Sequence, residues 1–361
     1  MQLKSYDVLS VKQYRFSELN LDDVFFDSLK TDYPGFSDWF LRKGGEKAFV
    51  VKNEEGIQAF LYMKIEDPNE DYSHFEKILD PAKRLKVGTF KISQNGYYLG
   101  ERFFRIILEH AIINNVEEIY VTIFPNREEQ KKLISFMKEF GFNLYTKNKK
   151  TNEQVYIRKM NIILNAEPSL NNYPYIAKNS SRNYFLLCID SVYHTKLIPD
   201  SIIREENPND FTSKITAANA IQKIYIGNYR ISPQPGDIII YYRMKPEGDK
   251  RAARFATTLT GFGIVSEAYK NIKSFEDVEK IVSKRTVLTE KEIKQKLANH
   301  KYGVNILKFY DIYSFKKRPI RQFLLENDIL GDNDYPTKKI SEQDFDLILK
   351  EAKFSKNIIF I

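Results

Sequence analysis

The stretch that decides the fold of the first half is Arg84-Leu-Lys-Val-Gly-Thr-Phe-Lys-Ile-Ser-Gln-Asn-Gly-Tyr-Tyr-Leu-Gly-Glu-Arg-Phe-Phe104. Its first part, Arg84–Ile92, has the apolar and β-branched content that predicts a strand. Its last part opens the segment Tyr98–Asn114, in which apolar residues recur at helical spacing. A glycine-containing turn, Gln94–Gly100, separates the two. The sequence therefore predicts a strand, a turn and a helix in direct succession.

The turn has properties that suit a phosphate ligand. Gly96 and Gly100 have no Cβ, so a ligand can approach the backbone closely. The N-terminus of the following helix presents free N–H groups and a partial positive charge. Taken alone, however, a glycine turn that opens a helix is typical of an ordinary tight turn. The elements around it carry the functional prediction.

The pattern continues on both sides of the quoted stretch. Glu118–Phe124 predicts a strand that is apolar on both faces and hence covered on both faces. Arg127–Phe140 predicts a helix that ends at Gly141. The other predicted elements of this half are helices over 21–30 and 36–43, strands over 48–52 and 57–65, and a final strand pair over 142–147 and 154–159.

This succession resembles the acetyl-CoA-binding region of the GNAT superfamily of N-acyltransferases, in which Gln/Arg-x-x-Gly-x-Gly/Ala precedes the helix. Aligned on Gly100, the chain has Asn95 at the first position and Tyr98 at the middle glycine, with Gly96 between them. Two of the three signature positions therefore differ from the family pattern. The next strand, the next helix and its closing Gly-Phe agree with the family. The resemblance covers about residues 46–160.

The resemblance implies a GNAT mixed sheet flanked by helices in residues 1–160, with acetyl-CoA as the acyl donor. In this family the pantetheine pairs with the strand before the turn, and N–H groups of the turn hold the pyrophosphate. The expected cofactor-binding residues are Lys91, Ile92, Ser93, Asn95, Gly96, Tyr97, Tyr98, Leu99, Gly100 and Glu101.

Catalysis by such a domain needs a base for the amine and an acid for the leaving thiolate. Many family members use a tyrosine four residues before the Gly of Gly-Phe, but here that position is Met137, which cannot donate a proton. We therefore expect Glu66, or Asp67 beside it, as the base and Tyr120, or else Tyr145, as the acid. Two alternatives stay open: Glu66 belongs to a solvated acidic turn, and Tyr120 packs its ring in a strand.

Residues 161–182 are rich in Asn, Ser and Pro, which predicts a linker. The half that follows is rich in β-structure. Its predicted strands lie near 184–189, 222–226, 236–243, 254–266 and 303–312, and its predicted helices near 274–283, 289–299 and 341–352.

Two motifs stand out in this second half. Pro235-Gly-Asp237 leads into an apolar strand that ends at Arg243, and Thr260-Gly-Phe-Gly-Ile-Val265 holds two glycines that permit a bulge or a close backbone approach. The pair resembles PUA-like barrels of the ASCH/EVE kind, over about residues 183–350. The resemblance implies a PUA-like β-barrel domain with peripheral helices over 183–361, and families of this fold commonly bind RNA or modified bases. The expected fold class of the whole chain is α+β.

The net charge of +8 is concentrated in the second half. Residues 1–160 hold 25 basic and 24 acidic side chains, and the remainder holds 31 and 24. The excess predicts a polyanionic partner such as RNA or tRNA, although a lysine-rich solvated surface has the same composition. The expected nucleic-acid-binding residues are Tyr225, Tyr242, Arg243, Lys250, Arg251 and Arg254.

Other classes of site are disfavoured by composition. A single cysteine, Cys188, predicts a buried thiol in a reducing compartment, and the four scattered histidines predict no metal site. No apolar run approaches the ~18 residues of a membrane span, and the N-terminus has no apolar signal region. We expect a soluble, cytoplasmic protein without a membrane partner; the oligomeric state stays open.

Three functions are compatible with these features. The first is an acyl-CoA-dependent N-acetyltransferase for a primary amine, with an RNA-linked substrate presented by the second half. The second is a nucleic-acid-binding protein whose GNAT domain is catalytically degenerate. The third is a protein N-acetyltransferase whose second half acts as an adaptor.

Overall fold

The computed structural model describes residues 11–93, 98–164, 167–179, 181–201, 219–283 and 285–361. The chain divides into two compact units, Met1–Ile162 and Ile163–Ile361, which we call the first unit and the second unit. Each unit contains a mixed β-sheet that packs against helices, so the expected α+β fold class is confirmed. None of the described helices is both long enough and apolar enough to cross a membrane.

The first unit contains a seven-stranded sheet with the strand order β1-β2-β3-β4-β5-β7-β6. Its strands are β1 (Lys12–Arg15), β2 (Lys47–Asn53), β3 (Gly56–Glu66), β4 (Arg84–Ile92), β5 (Glu118–Ile123), β6 (Asn143–Lys147) and β7 (Gln154–Lys159). Only β4 and β5 are parallel neighbours, because a helix connects them as a crossover.

Helices cover both faces of this sheet. They are α1 (Asp27–Asp32), α2 (Phe36–Arg42), α3 (Leu99–Ile113) and α4 (Glu128–Glu139). α1 and α2 belong to an aromatic cluster that includes Phe60 and Tyr62 of β3. α3 packs on the opposite side, where the ring of Phe104 lies 5.7 Å from that of Phe90 in β4. We call the two sides of the sheet the α1 face and the α3 face.

A β-bulge at Gly88 interrupts the regular pairing of β3 with β4. Tyr62 pairs with Thr89 and Met63 pairs with Val87, so Gly88 is the extra residue. A Cβ at Gly88 would lie 2.8 Å from Cδ1 of Tyr62, which is too close for a real contact. Glycine is therefore required where the tyrosine ring crosses β4.

The bulge changes which side chains of β4 reach each face. Side chains alternate between faces along a strand, so one inserted residue shifts the alternation. Arg84 and Lys86 lie on the α1 face before the bulge. Beyond it Phe90 packs on the α3 face, and Lys91 contacts Phe25 on the α1 face.

The second unit contains a six-stranded sheet with the strand order β13-β8-β10-β11-β12-β9. Its strands are β8 (Tyr184–Ile189), β9 (Gln222–Gly227), β10 (Ile238–Arg243), β11 (Thr258–Ile272), β12 (Val304–Ser314) and β13 (Lys338–Ile340). β8 and β10 run parallel, and the other neighbours are antiparallel. Three register shifts between β11 and β12 indicate bulges that bend this long pair.

Helices cover this sheet on both sides as well. They are α5 (Ser191–Leu197), α6 (Ala253–Ala256), α7 (Phe275–Val282), α8 (Glu290–Asn299), α9 (Arg321–Glu326) and α10 (Glu342–Glu351). Leu197 of α5 packs against one face, and Phe345 of α10 stacks on Tyr184 on the other. All residues of β8 and β10 are buried in consequence.

Gly263 creates the space for a polar contact inside this core. Tyr241 of β10 reaches across β11, and its hydroxyl donates a hydrogen bond of 3.0 Å to Oδ1 of Asp311 in β12. A Cβ at Gly263 would lie 2.5 Å from that hydroxyl and 2.6 Å from the carbonyl oxygen of Tyr310. The close approach expected at the glycine pair therefore occurs, and it serves the packing of a tyrosine.

Most of the segment predicted as a linker, 161–182, packs on the second unit. The hydroxyl of Tyr173 donates to the backbone oxygen of Asp311 over 3.0 Å, and Ile176 forms a β-bridge with Phe360. Although the segment is mostly polar, a few of its apolar side chains are buried against the sheet. The first and second units therefore meet in the chain near Ile162, before most of this segment.

Two predicted elements need correction. The helix expected over 21–30 starts only at Asp27, because Asp23 caps a short 3₁₀ turn before it. The strand expected over 254–266 starts at Thr258, because α6 occupies the preceding residues. The sequence did not indicate α5, α9, β1 or β13, which are all too short for a clear periodic pattern.

We expect Gly263→Ala to destabilise the second unit by about 1–3 kcal/mol, because the added methyl group meets a backbone oxygen that cannot move aside. Gly331→Ala is the matched control, since its Cβ would meet only ordinary contacts of 3.4 Å and longer. Urea denaturation of both variants measures the difference. Equal stability of Gly263→Ala and the parent protein would show that the tyrosine does not need this space.

Candidate active site

The parallel strands β4 and β5 diverge in the middle of the first sheet. Their pairing runs from Arg84 opposite Glu118 to Val87 opposite Val121, and no further pair joins the described residues of these strands. β4 nevertheless continues to Ile92 and stays paired with β3 over that length. Its backbone groups that face β5 beyond the last pair therefore line a slot where an extended ligand with amide groups can pair.

α3 begins beside this slot. Tyr98 is its N-cap residue in the left-handed region, with φ of 50° and no side-chain cap, so the first N–H groups of the helix are not capped by that side chain. Leu99 follows as a buried residue. The expected cofactor-binding residues Asn95, Gly96 and Tyr97 lie outside the described residues.

Two expected cofactor residues in α3 face protein. A Cβ at Gly100 would lie 3.0 Å from Cε1 of Phe136 in α4, so the missing side chain makes room for that ring. Glu101 is only 3% exposed and its side chain has partners within the protein. The helix N-terminus can still offer backbone N–H groups to a phosphate, whereas these two side-chain positions are occupied by packing.

The residues at the end of β4 are partly engaged in other contacts. Ser93 donates its backbone N–H to the carbonyl of Gln58 over 2.9 Å, so this group is not free for a pantetheine. The side chain of Lys91 binds Ser28 at the start of α1 over 2.7 Å. Ile92 is half-buried and ends the strand. The backbone between Gly88 and Ile92 is the remaining stretch for a ligand.

The two expected catalytic residues contact each other on the α1 face. Glu66 ends β3 and is 3% exposed, in contrast to the solvated turn that its sequence neighbours suggest. The hydroxyl of Tyr120 donates a hydrogen bond of 2.7 Å to Oε2 of Glu66. Tyr120 lies one residue before Val121, the last residue of β5 that pairs with β4, whereas Glu66 is opposite Arg84, the first residue of that paired stretch.

A third residue, Tyr72, completes the contacts of Oε2. Its hydroxyl donates to the same oxygen over 3.1 Å. The guanidinium of Arg84 lies 5.0 Å from the centre of the Tyr72 ring and is paired with Glu118 over 2.8 Å. Tyr72 was not predicted from the sequence, although a tyrosine after the acidic turn Glu66–Asp71 was the available signal.

The other oxygen of Glu66, Oε1, is differently placed. The ammonium groups of Lys64 and Lys86 lie 3.7 Å and 3.8 Å from it, beyond hydrogen-bonding distance. Within the described residues Oε1 therefore accepts no hydrogen bond, while Oε2 accepts two. The carboxylate is therefore hydrogen-bonded through one oxygen only, and its other oxygen lies near two ammonium groups.

The protonation of the two tyrosines follows from this burial. Burial raises the pKa of Tyr72 to about 12, and the charge of Glu66 adds to the effect. Burial and then the charge of Glu66 raise the pKa of Tyr120 far above its usual value. Both hydroxyls therefore stay protonated and act as hydrogen-bond donors to Glu66.

Met137, at the position of the family tyrosine, is fully buried in the core of the first unit. The residue of α4 that contacts the start of α3 is Phe136, through Gly100. Neither side chain can donate a proton. The described part of α4 therefore offers no substitute for the expected acid at these two positions.

The six residues predicted to bind nucleic acid are not brought together. Tyr242 and Arg243 are 3% and 1% exposed, because both faces of β10 are covered. Tyr225 is half-buried, and its hydroxyl donates to the carbonyl of Cys188 over 3.2 Å. These three side chains do not form an accessible stacking surface.

The other three residues of that set are exposed. Lys250, Arg251 and Arg254 lie between β10 and β11, in the loop and in α6. Arg251 pairs with Asp249 over 2.6 Å, and Arg254 approaches Asp332 at 4.0 Å. Of the six predicted residues, only these three are accessible to a polyanion, and neighbouring carboxylates partly neutralise their charge.

His194 in α5 is a fully buried titratable group of the second unit. Its Nε2 lies 2.7 Å from Oγ1 of Thr260, and its Nδ1 contacts no polar partner among the described residues. Burial, followed by the charges of Arg243 and Arg318, holds the pKa of His194 well below its usual value. The imidazole is therefore neutral in the folded protein.

No protein-family model and no curated protein sequence matches the chain. Solved structures of two kinds are similar to it. ASCH from Zymomonas mobilis is 8% identical, with 46% of this chain and 94% of that chain covered at a TM-score of 0.31. Naa20 from Chaetomium thermophilum, solved with a bisubstrate analogue, is 18% identical, with 41% and 84% covered at a TM-score of 0.29.

The N-acetyltransferase YlbP from Bacillus subtilis, solved with coenzyme A, is 12% identical, with 41% of this chain and 96% of that chain covered at a TM-score of 0.25. Structures of both families recur among the neighbours.

We expect the second unit to lose stability in acid because of His194. An unfolded chain protonates this residue near pH 6.5 while the folded chain keeps it neutral, so the free energy of unfolding falls below that pH. The slope is at most about 1.4 kcal/mol per pH unit. Urea denaturation of the second unit between pH 7 and pH 5 measures it.

His194→Gln removes this titration and is expected to flatten that slope, whereas His74→Gln in the first unit serves as the control. An identical pH dependence in His194→Gln and in the parent protein would contradict the assignment.

Proposed function

We propose that the first unit is an acetyl-CoA-dependent N-acetyltransferase that acts on a primary amine, with Glu66 as the general base. One observation carries the proposal. A buried carboxylate is held by two tyrosine hydroxyls through one oxygen, while its other oxygen lies near two ammonium groups and accepts no hydrogen bond from the described residues. Tyr120, one of the two tyrosines that hold it, lies one residue before the last β5 residue that pairs with β4.

The slot fits the acyl donor in shape and chemistry. Backbone groups of β4 between Gly88 and Ile92 would pair with the amides of the pantetheine, and the N–H groups at the start of α3 would hold the pyrophosphate. Acetyl-CoA, when bound, supplies an activated acetyl thioester. The residues Gly100 and Glu101 support the helix in this arrangement and do not contact the donor through side chains.

Glu66 is suited to take a proton from the acceptor. A primary amine is mostly protonated at neutral pH and must lose a proton before it can attack. The ammonium groups of Lys64 and Lys86 disfavour another positive charge nearby, which promotes this loss. Oε1 of Glu66 receives the proton, while Tyr72 and Tyr120 keep the carboxylate oriented through Oε2.

Tyr120 takes a different role from the one that the sequence suggests. Its raised pKa makes it a weak acid, and its hydroxyl already donates a hydrogen bond to Glu66. We therefore assign Tyr120 as a positioning residue for the base. The leaving thiolate then takes a proton from solvent or from the acid form of Glu66.

The second unit would present an acceptor linked to RNA. The exposed side chains of Lys250, Arg251 and Arg254 support this part of the proposal, because basic side chains in a loop can follow a phosphate backbone. The net positive charge of the second half points the same way. A protein acceptor, with the second unit as adaptor, is the rival substrate.

A binding protein without transferase activity is the second candidate function. It is favoured by the absence of a proton donor at Met137 and Phe136. Acetyl-CoA binding without acetyl transfer to any amine would support it.

We expect Glu66→Gln to reduce acetyl transfer by about 10²–10⁴-fold with little change in acetyl-CoA affinity, because a general base is lost and the donor slot is intact. Release of the CoA thiol, measured against peptides, polyamines, amino sugars and aminoacyl-tRNA, reports the rate. Tyr120→Phe is expected to reduce the rate less, because it removes only one of the two hydrogen bonds that orient Glu66.

Glu70→Gln is the matched control, since this carboxylate pairs with Lys64 at 3.4 Å but is exposed. Incubation of labelled acetyl-CoA with cell extract identifies the acceptor class, because label in RNA, in protein or in small amines separates the alternatives. Full activity of Glu66→Gln would rule out this base.

A further inference from the structure

The start of α1 is fixed to β4 beyond its last pair with β5. Lys91 of β4 donates hydrogen bonds from Nζ to the carbonyl of Phe25 and, over 2.7 Å, to Oγ of Ser28. The same ammonium lies 4.7 Å from the centre of the Phe25 ring. Lys91 is half-buried, so these contacts replace much of its hydration.

The end of α1 is fixed to the chain that continues β5. Oδ1 of Asp32 lies 2.6 Å from Nη2 of Arg127, the N-cap residue of α4, and Gln130 donates to Oδ2 of Asp32 over 3.3 Å. The ring of Tyr33 lies 5.3 Å from that of Phe124, the residue directly after β5. α1 therefore crosses from one diverging strand to the other on the α1 face.

The length of α1 is close to the separation expected for two strands with one vacant strand position between them. A helix of six residues is about 9 Å long. Neighbouring strands are about 4.8 Å apart, so two strands with one vacant position between them are about 10 Å apart. If the diverging strands paired directly, they would be about 4.8 Å apart, and an element that joins them would be much shorter than α1.

We propose that α1 is a strut that holds β4 and β5 one strand apart, with Lys91 and Asp32 as positioning residues at its two ends. The proposal rests on the proposed function, because the slot that the strut keeps open is where the pantetheine of the donor would pair. Without the strut the two strand edges are free to close on each other, and ligand binding must first separate them.

The strut makes a specific prediction about how two substitutions combine. Loss of the contacts at either end of α1 frees the helix, so loss of the contacts at the other end should not weaken the binding of coenzyme A further. We expect Lys91→Met and Asp32→Asn each to weaken the binding of coenzyme A by about fivefold, and the double variant to bind no more weakly than either single variant. Isothermal titration of the full chain with coenzyme A itself measures this without any reaction.

Two further variants make the test specific. Lys91→Arg keeps a hydrogen-bond donor at the same position of β4 and is expected to retain most of the affinity for coenzyme A. Lys30→Met alters α1 at a residue whose ion pair is with Asp27 of the same helix, and is expected to leave affinity unchanged. Thermal denaturation without ligand checks that each variant is folded.

Three results would overturn the strut. Affinity that is unchanged in Lys91→Met and Asp32→Asn would show that coenzyme A binding does not depend on the two ends of α1. Losses that add in the double variant would show that the two ends act separately. Tighter binding of Asp32→Asn would show that Arg127, once released, binds phosphate directly. Failure of the unmodified protein to bind coenzyme A is distinguishable from these results, because it refutes the proposed function and the strut with it.

Discussion

The first unit depends on the limited pairing of two parallel strands. β4 and β5 are hydrogen-bonded only as far as Val87 and Val121, yet β4 continues in the sheet because β3 still pairs with it. Backbone groups along the unpaired edge need partners, so the divergence is costly unless something occupies or supports it. Within the protein, the bulge at Gly88 and the contacts of α1 provide that support.

The same strands place a carboxylate beside the slot. Side chains of β3, β4 and β5 alternate between faces, and the α1 face receives Glu66, Lys86 and Tyr120 from the three strands. None of these side chains is near another in the sequence. Their convergence is a product of sheet order, and it gives the first unit a buried, hydrogen-bonded carboxylate, which is the proposed base. Of the residues of the second unit predicted to bind nucleic acid, only the three before β11 are exposed.

The sequence predicts local patterns better than long-range contacts. The bounds of β4, β7 and β8 agree with their predicted ranges, because their apolar patterns are unbroken. Burial of Glu66 was not predictable, since it depends on Tyr120, which is 54 residues away in the chain. The nucleic-acid surface was overestimated for a similar reason: helices on both sides of β10 cover Tyr242 and Arg243.

Hydrogen–deuterium exchange of the intact protein, with and without coenzyme A, tests the central claim most directly. The account predicts that the ligand protects backbone amides within 88–92, on the unpaired edge of β4, and within 98–102, at the start of α3. Peptides of the second unit serve as the internal reference and should exchange as before. Protection confined to the second unit, or bound coenzyme A that leaves 88–92 unprotected, would contradict the assignment of the slot.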